Sequence, residues 1–190
     1  MEKAMEHRKN YAEEILNGIR VLMAPRPLLE HARISRRISN KIEESLSGGG
    51  CEAFVEVDVY LSKNDRFVPD VCVVCDPAKY ANGKRIEGAP DLVVEVLSRS
   101  TANRDRGYKK DIYELHGVKE YWIVTASECA IEVYILKDGR YYHNHTYTLM
   151  LDHELEMKTE EELKEVKYVF SPSIFPDMKI DIREIFTKPD

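Results

Sequence analysis

The apolar positions of this 190-residue chain fall into two periodicities, and they divide it into alternating strands and helices. Ile34, Ile38, Ile42 and Leu46 recur at nearly 3.6 residues, which predicts an amphipathic helix from about Leu28 to Leu46, stopped by Gly48-Gly49-Gly50. From Cys51 to Leu61 the spacing changes to two. Val55, Val57 and Val59 alternate with Glu56, Asp58 and Tyr60, the pattern of a strand with one wetter face. Ser62-Lys63-Asn64-Asp65 reads as a turn that joins it, as a hairpin, to a strand from Phe67 to Cys75. Asp76–Pro90 reads as a loop, and Leu92–Leu97 as a further strand. Ser100 or Thr101 is placed to cap a helix that runs to His116 and ends at Gly117. Strands follow at 120–124, 131–136 and 141–149, then a charged stretch at 158–167 and short elements near 168–170 and 178–186. Ahead of the long helix, residues 5–17 read as a short helix and Ile19–Met23 as a strand, with Pro25 and Pro27 as punctuation. The sum is an α/β chain of one domain over 1–190, a mixed central sheet flanked by helices.

Two positions break this pattern. Phe67–Cys75 and Leu92–Leu97 are apolar at consecutive positions, as in strands covered on both faces, apart from Asp70 and Glu95. An isolated buried carboxylate is very unfavourable, so each acid requires a cation, a shared proton or several donors. If the strands lie side by side, both can converge on one divalent ion, and oxygen ligands favour Mg2+ or Mn2+. The bland alternative is a pair of structural salt bridges. Directly after Glu95, Arg99–Lys110 carries five basic residues against one acid, at a helix start that favours anions. Arg99, Arg104 and Arg106 are therefore candidates for phosphate contacts. Asp105, Lys109 and Tyr113 recur every fourth residue and share a face, from which Lys109 could reach Glu95; a solvated Asp105–Lys109 ion pair is the simpler reading. Asp91 shares strand parity with Glu95 and reads either as a further ligand or as a turn cap after Pro90.

Composition adds limits. The content is 43% hydrophobic and 33% charged, ordinary for a globular protein, and no apolar run is long enough to span a membrane. The N-terminal residues lack the apolar block of a signal peptide, so a cytoplasmic location is expected. A net charge of −6 argues against a broad basic surface for nucleic acid. Cys72 and Cys75 form a CxxC inside a strand, where their side chains face opposite ways, so the four cysteines read as packing residues. His143 and His145 form an HxH with both rings expected on one side, and without a third ligand of suitable spacing. Arg33, Arg37 and Lys41 give the long helix a basic stripe, read as solvated, and His31 lies near that helix's apolar side.

The string GAPDLVVEVLSRSTANRDRGYKKDIYELHGVKEYWIV closely resembles the core of the Uma-two family of restriction-endonuclease-like proteins, within the PD-(D/E)XK nuclease superfamily. The likeness extends to Val68-Pro69-Asp70-Val71, to Gly18–Met23, and to Pro27 and His31, and covers about residues 10–140, leaving the strands and tail of 141–190 outside it. It implies a restriction-endonuclease-like fold and metal-dependent hydrolysis of phosphodiester bonds in nucleic acid, DNA first. Asp70 matches the PD aspartate and Glu95 the acid of the second element, with Lys109 in the role of a migrated lysine, because Leu97 occupies the usual lysine position. The carbonyl of Val96 would be an additional metal ligand, with His31 and Tyr113 behind the ligands, and a homodimer would suit two cuts on duplex DNA. The alternative is a nucleic-acid-binding or regulatory protein that keeps the fold without cleaving.

Overall fold

The computed structural model describes residues 13–23, 28–46 and 49–187. The first element differs from expectation. Of the helix read at 5–17, residues 5–12 lie outside the described residues, as do Pro25, Pro27 and Gly48. Residues 13–16 are a strand: β1 (Glu13–Leu16) pairs antiparallel with β2 (Ile19–Leu22). Asn17 and Gly18 both take positive φ, 50° and 78°, which makes the two-residue turn that matches strand twist. Asn-Gly is the strongest short hairpin signal, and it outweighed the local helical pattern.

Helix α1 (Leu29–Leu46) buries Ile34, Ile38 and Ile42 as its periodicity predicts. The 52–74 hairpin forms, but each arm is broken in two. β3 (Glu52–Val55) is followed by Glu56 at φ 50°, then β4 (Val59–Tyr60). The return arm is β5 (Arg66–Phe67) and, after Pro69, β6 (Val71–Val74). The positive φ on one arm and the proline on the other bend the hairpin, so β4 and β5 pair in a small sheet while β3 and β6 pair in the main one. β7 (Ile86–Glu87) completes the small sheet, in the order β2-β1-β5-β4-β7.

β8 (Leu92–Val96) leads into a helical run over 102–115 and then β9 (Glu120–Thr125), a parallel crossover. β10 (Ala130–Lys137) and β11 (Arg140–Thr148) follow as a meander. The main sheet is mixed, with order β11-β10-β9-β8-β6-β3. Short helices Asp152–Glu156 and Glu160–Glu165 precede the β12 (Val169–Phe170) and β13 (Ile180–Asp181) pair and the helix Ile182–Phe186.

Strand parity divides the core. Val71, Val73, Leu92, Val94, Val96, Trp122 and Val124 face α1 and the C-terminal elements. Cys72, Val93, Tyr121 and Ile123 face the other way, onto Tyr113 of the 102–115 run and onto Val59 and Phe67 of the small sheet. Each fully buried side chain of this kind contributes about 1.5–3 kcal/mol. Arg37 donates to the Ile185 carbonyl at 2.9 Å and Lys41 pairs with Glu184, so two members of the α1 basic stripe dock the last helix instead of lying in solvent. Glu120, fully buried, accepts from Trp122 Nε1 and from the Ser173 amide and hydroxyl, which ties the tail to β9.

Candidate active site

The β6–β8 register runs from Val73↔Leu92 to Val71↔Val94; Asp70 stands just before β6, and Glu95 follows Val94 in β8. The Asp70 charge acts on both Glu95 and Asp105, so the two acids singled out from the sequence are neighbours, Glu95 on the face turned toward the 102–115 run and Asp70 at the strand end beside α1. Asp70 Oδ2 accepts from the Val96 amide at 2.6 Å and lies 3.3 Å from His31 Nε2. Glu95 Oε1 accepts from Lys109 Nζ at 3.0 Å and from the Tyr113 hydroxyl at 2.9 Å. Each carboxylate thus has one oxygen bonded to the protein, and the other, Asp70 Oδ1 or Glu95 Oε2, takes no hydrogen bond among the described residues.

Lys109 is 3% exposed and sits among three acids, Glu14 Oε1 at 2.7 Å, Glu95 Oε1 at 3.0 Å and Asp105 Oδ1 at 3.5 Å. The Asp105–Lys109 pair is buried, not solvated. Its setting is a π turn, Asp105–Lys109, inserted between α-helical Ala102–Arg104 and Lys110–Leu115. Such turns occur preferentially at functional sites. Glu14 was not singled out from the sequence. It reaches in from β1, 1% exposed, and its other oxygen accepts from Arg104 at 2.9 Å. Reading Asn17-Gly18 as a hairpin would have made it the inward acid of a strand.

Four carboxylates, Asp70, Glu95, Glu14 and Asp105, therefore face two permanent cations, Lys109 and Arg104, and the surplus is negative. Burial first, then the charges of Asp105, Asp70 and Glu14, push the Glu95 carboxyl well above its ordinary range, with Lys109 opposing. Asp105 is likewise raised by burial, again against Lys109. Burial works to lower the Lys109 ammonium, but Glu95, Glu14 and Asp105 outweigh it and hold the proton on. For His31, burial lowers and the Asp70 bond, the Asp70 charge and a hydrogen bond to the Val96 main chain raise, with a net rise.

The remaining sequence candidates are placed elsewhere or engaged. Asp91 is four residues from Glu95 along β8, about 13 Å. It accepts from the Cys75 amide at 2.8 Å and from Lys119 Nζ at 2.7 Å, partners that belong neither to a turn cap after Pro90 nor to the Asp70–Glu95 cluster. Arg104 is engaged by Glu14, and Arg106 by Glu132 and Thr125, while Arg99 is exposed. A bulge in β11, where register shifts between Val133 and Tyr134, separates the HxH. His143 packs on Tyr134 and His145 on Tyr147, which lie in different halves of the core, so the rings do not share a side. Cys51 and Cys75 are disulfide-bonded across β3 and β6, contrary to the packing-residue reading, whereas Cys72 is free and buried. Among the described residues no helix is long and apolar enough to cross a membrane.

Comparison with known proteins bears on the fold and the family. A solved structure from Anabaena variabilis ATCC 29413, described as a "putative nuclease belonging to DUF820", superposes with a TM-score of 0.67 over 92% of this chain and 89% of its own, at 19% identity. The shared feature at that identity is the restriction-endonuclease-like fold. An uncharacterised protein of Synechocystis sp. (strain ATCC 27184 / PCC 6803 / Kazusa), slr1290, is 35% identical over 112 residues, 57% of this chain and 58% of the relative. The chain thus spans little more than half the length of that curated relative. The profile of the Uma2 family, described as "Putative restriction endonuclease", matches residues 3–166, and the chain belongs to that family.

Proposed function

We propose that this protein is a metal-dependent endonuclease that hydrolyses phosphodiester bonds, with DNA as the substrate and Asp70, Glu95 and Lys109 at the centre of its site. The observation that carries the reading is the neighbouring acids Asp70 and Glu95, each with an oxygen that takes no hydrogen bond among the described residues, in a pocket of surplus negative charge. That donor set fits Mg2+ or Mn2+. Mg2+ is commonly held by one or two carboxylates together with waters and substrate phosphate oxygens, and among the described residues no three His, Cys, Asp or Glu side chains form a cage that would hold an ion alone. Asp70 Oδ1 and Glu95 Oε2 would hold the ion, with the Val96 carbonyl as a further oxygen. When bound, it supplies a water of lowered pKa and neutralises charge on the scissile phosphate.

The chain's own groups have separate tasks. His31 and the Val96 amide fix the Asp70 carboxylate by its other oxygen, and Tyr113 and Lys109 do the same for Glu95. Leu97 follows Glu95 on the same face and offers no amine, so Lys109 is the ammonium available to orient water or to meet charge developing on the phosphate. Arg99, exposed just beyond β8, is free to meet a neighbouring phosphate. A homodimer would set two such sites against the two strands of a duplex. The test is cleavage of labelled DNA in Mg2+ by the wild type and by Asp70→Asn and Glu95→Gln. Loss in both variants is expected, and equal activity in all three would show that cleavage arises elsewhere.

One observation favours a second reading, a nucleic-acid-binding protein that does not cut. Among the described residues Lys109 makes its close polar contacts with carboxylates, as a purely structural ammonium would. Binding of DNA without cleavage in either Mg2+ or Mn2+ would select that reading.

A further inference from the structure

Glu14 belongs to the small sheet, yet among the described residues every polar contact of its side chain runs to the main site. Oε1 accepts from the Val68 amide at 3.0 Å and from Lys109 Nζ at 2.7 Å, and Oε2 accepts from Arg104 at 2.9 Å. Val68 lies two residues before Asp70. One carboxylate therefore grips both the chain that delivers Asp70 and the lysine that faces Glu95. The ammonium lies nearer to Glu14 than to Glu95 or Asp105. With Glu14 neutral or too short, Lys109 would be shared by Glu95 and Asp105 alone. It would then settle closer to Glu95, toward the oxygen that is now free.

We infer that Glu14 is a positioning residue for the proposed hydrolysis: it draws Lys109 back from Glu95 and fixes the approach to Asp70, without touching substrate. The inference rests on the endonuclease reading, and it concerns an acid outside the Asp70–Glu95 pair. A structural role alone would predict only a less stable protein. A positioning role predicts that Glu14→Gln, assayed well below its melting temperature, loses about 10–100-fold in kcat with KM for DNA within about twofold, since small misplacements near reacting groups have effects of that order. Glu14→Asp keeps the charge but loses reach, and should show the same signature; it also serves if the glutamine variant does not fold.

A second measurement does not depend on activity. In protein labelled with 15N-lysine, the Lys109 ammonium, assigned by its absence from Lys109→Met, should give a slowly exchanging 1H–15N signal in the wild type. That signal should shift or be lost to exchange in Glu14→Gln and in Glu14→Asp. The inference is overturned if kcat per folded molecule matches the wild type in the variants, if only KM changes, or if the wild-type Lys109 ammonium exchanges as fast as the exposed lysines. Should the wild type cleave nothing, the endonuclease reading fails, and the ammonium signal still decides whether Glu14 holds Lys109.

Discussion

Replacing Lys109 by methionine removes one ammonium from among three buried acids and keeps most of the side-chain volume. Glu14 would retain Arg104 as a partner, whereas Glu95 would keep only the Tyr113 hydroxyl. Removing one member of a buried ion pair destabilises by about 3–5 kcal/mol, because the other charge is left uncompensated. Glu95 and Asp105 are already raised by burial and by the charges of Asp70 and Glu14, so they can relieve the strain by taking up protons. The sign of the pH dependence follows. Above the unfolded carboxylate range, near pH 4.5, the native variant binds more protons than the unfolded chain, so its stability falls as pH rises. For one proton the slope is about 1.4 kcal/mol per pH unit until the native group titrates. We expect Lys109→Met to be about 4 kcal/mol less stable at pH 8, roughly 8–16 °C in Tm for a chain of this size, and distinctly closer to the wild type at pH 5.5. Urea unfolding of both proteins at pH 5.5, 7 and 8 measures this. A difference below about 1 kcal/mol throughout, or one that shrinks as pH rises, would refute the claim that Lys109 compensates these acids.

Three further outcomes are expected. Reducing the Cys51–Cys75 bridge, whose partners are 24 residues apart, should lower stability by about 3.5 kcal/mol from loop entropy alone; an unchanged thermal midpoint in reductant, with both thiols proved accessible by alkylation and mass spectrometry, would contradict it. Glu120→Gln sets an amide donor against the Trp122 indole or the Ser173 donors and should lower stability by about 1–3 kcal/mol, read from the fluorescence of Trp122, the single tryptophan of the chain. Asp91→Asn should leave Mg2+ binding in calorimetry unchanged while Asp70→Asn abolishes it; equal losses would return Asp91 to the ion site.

The parts of the molecule that follow from periodicity were legible. α1, the Leu92–Val96 strand and the meander lie where their patterns place them, because each buries a continuous apolar stripe, while the Phe67–Cys75 run is split at Pro69 between two sheets. Glu95 was legible for the converse reason, a charge where apolar neighbours leave no solvent, whereas Asp70 lies just outside β6 with its side chain 15% exposed. What escaped depends on the way strands are brought together. Glu14 is one acid in a run of mixed polarity, and only the Asn17-Gly18 turn reveals that it points inward. The Cys51–Cys75 bond exists because the β3–β6 register sets the two residues opposite one another, which the CxxC spacing does not disclose. The HxH failed through one extra residue in β11, and equal parity put Asp91 on the side of Glu95 without disclosing its distance along the strand.

The π turn has a consequence for how this segment tolerates change. In an α-helix, residues spaced by four overshoot a full turn by about 40°, so Asp105, Lys109 and Tyr113 would fan progressively around the axis. The wider winding over 105–109 offsets that drift and keeps the three side chains in line. Gly107, at its middle, has open space where a Cβ would stand, so exchanging it for alanine is sterically harmless. Shortening the segment by one residue is a different matter: it would restore ordinary helix, in which the three steps from Asp105 to Lys109 turn about 300°, and leave Asp105 about a sixth of a turn out of line. Residue number across this stretch, more than residue identity at its midpoint, is what keeps the lysine and its acids in register.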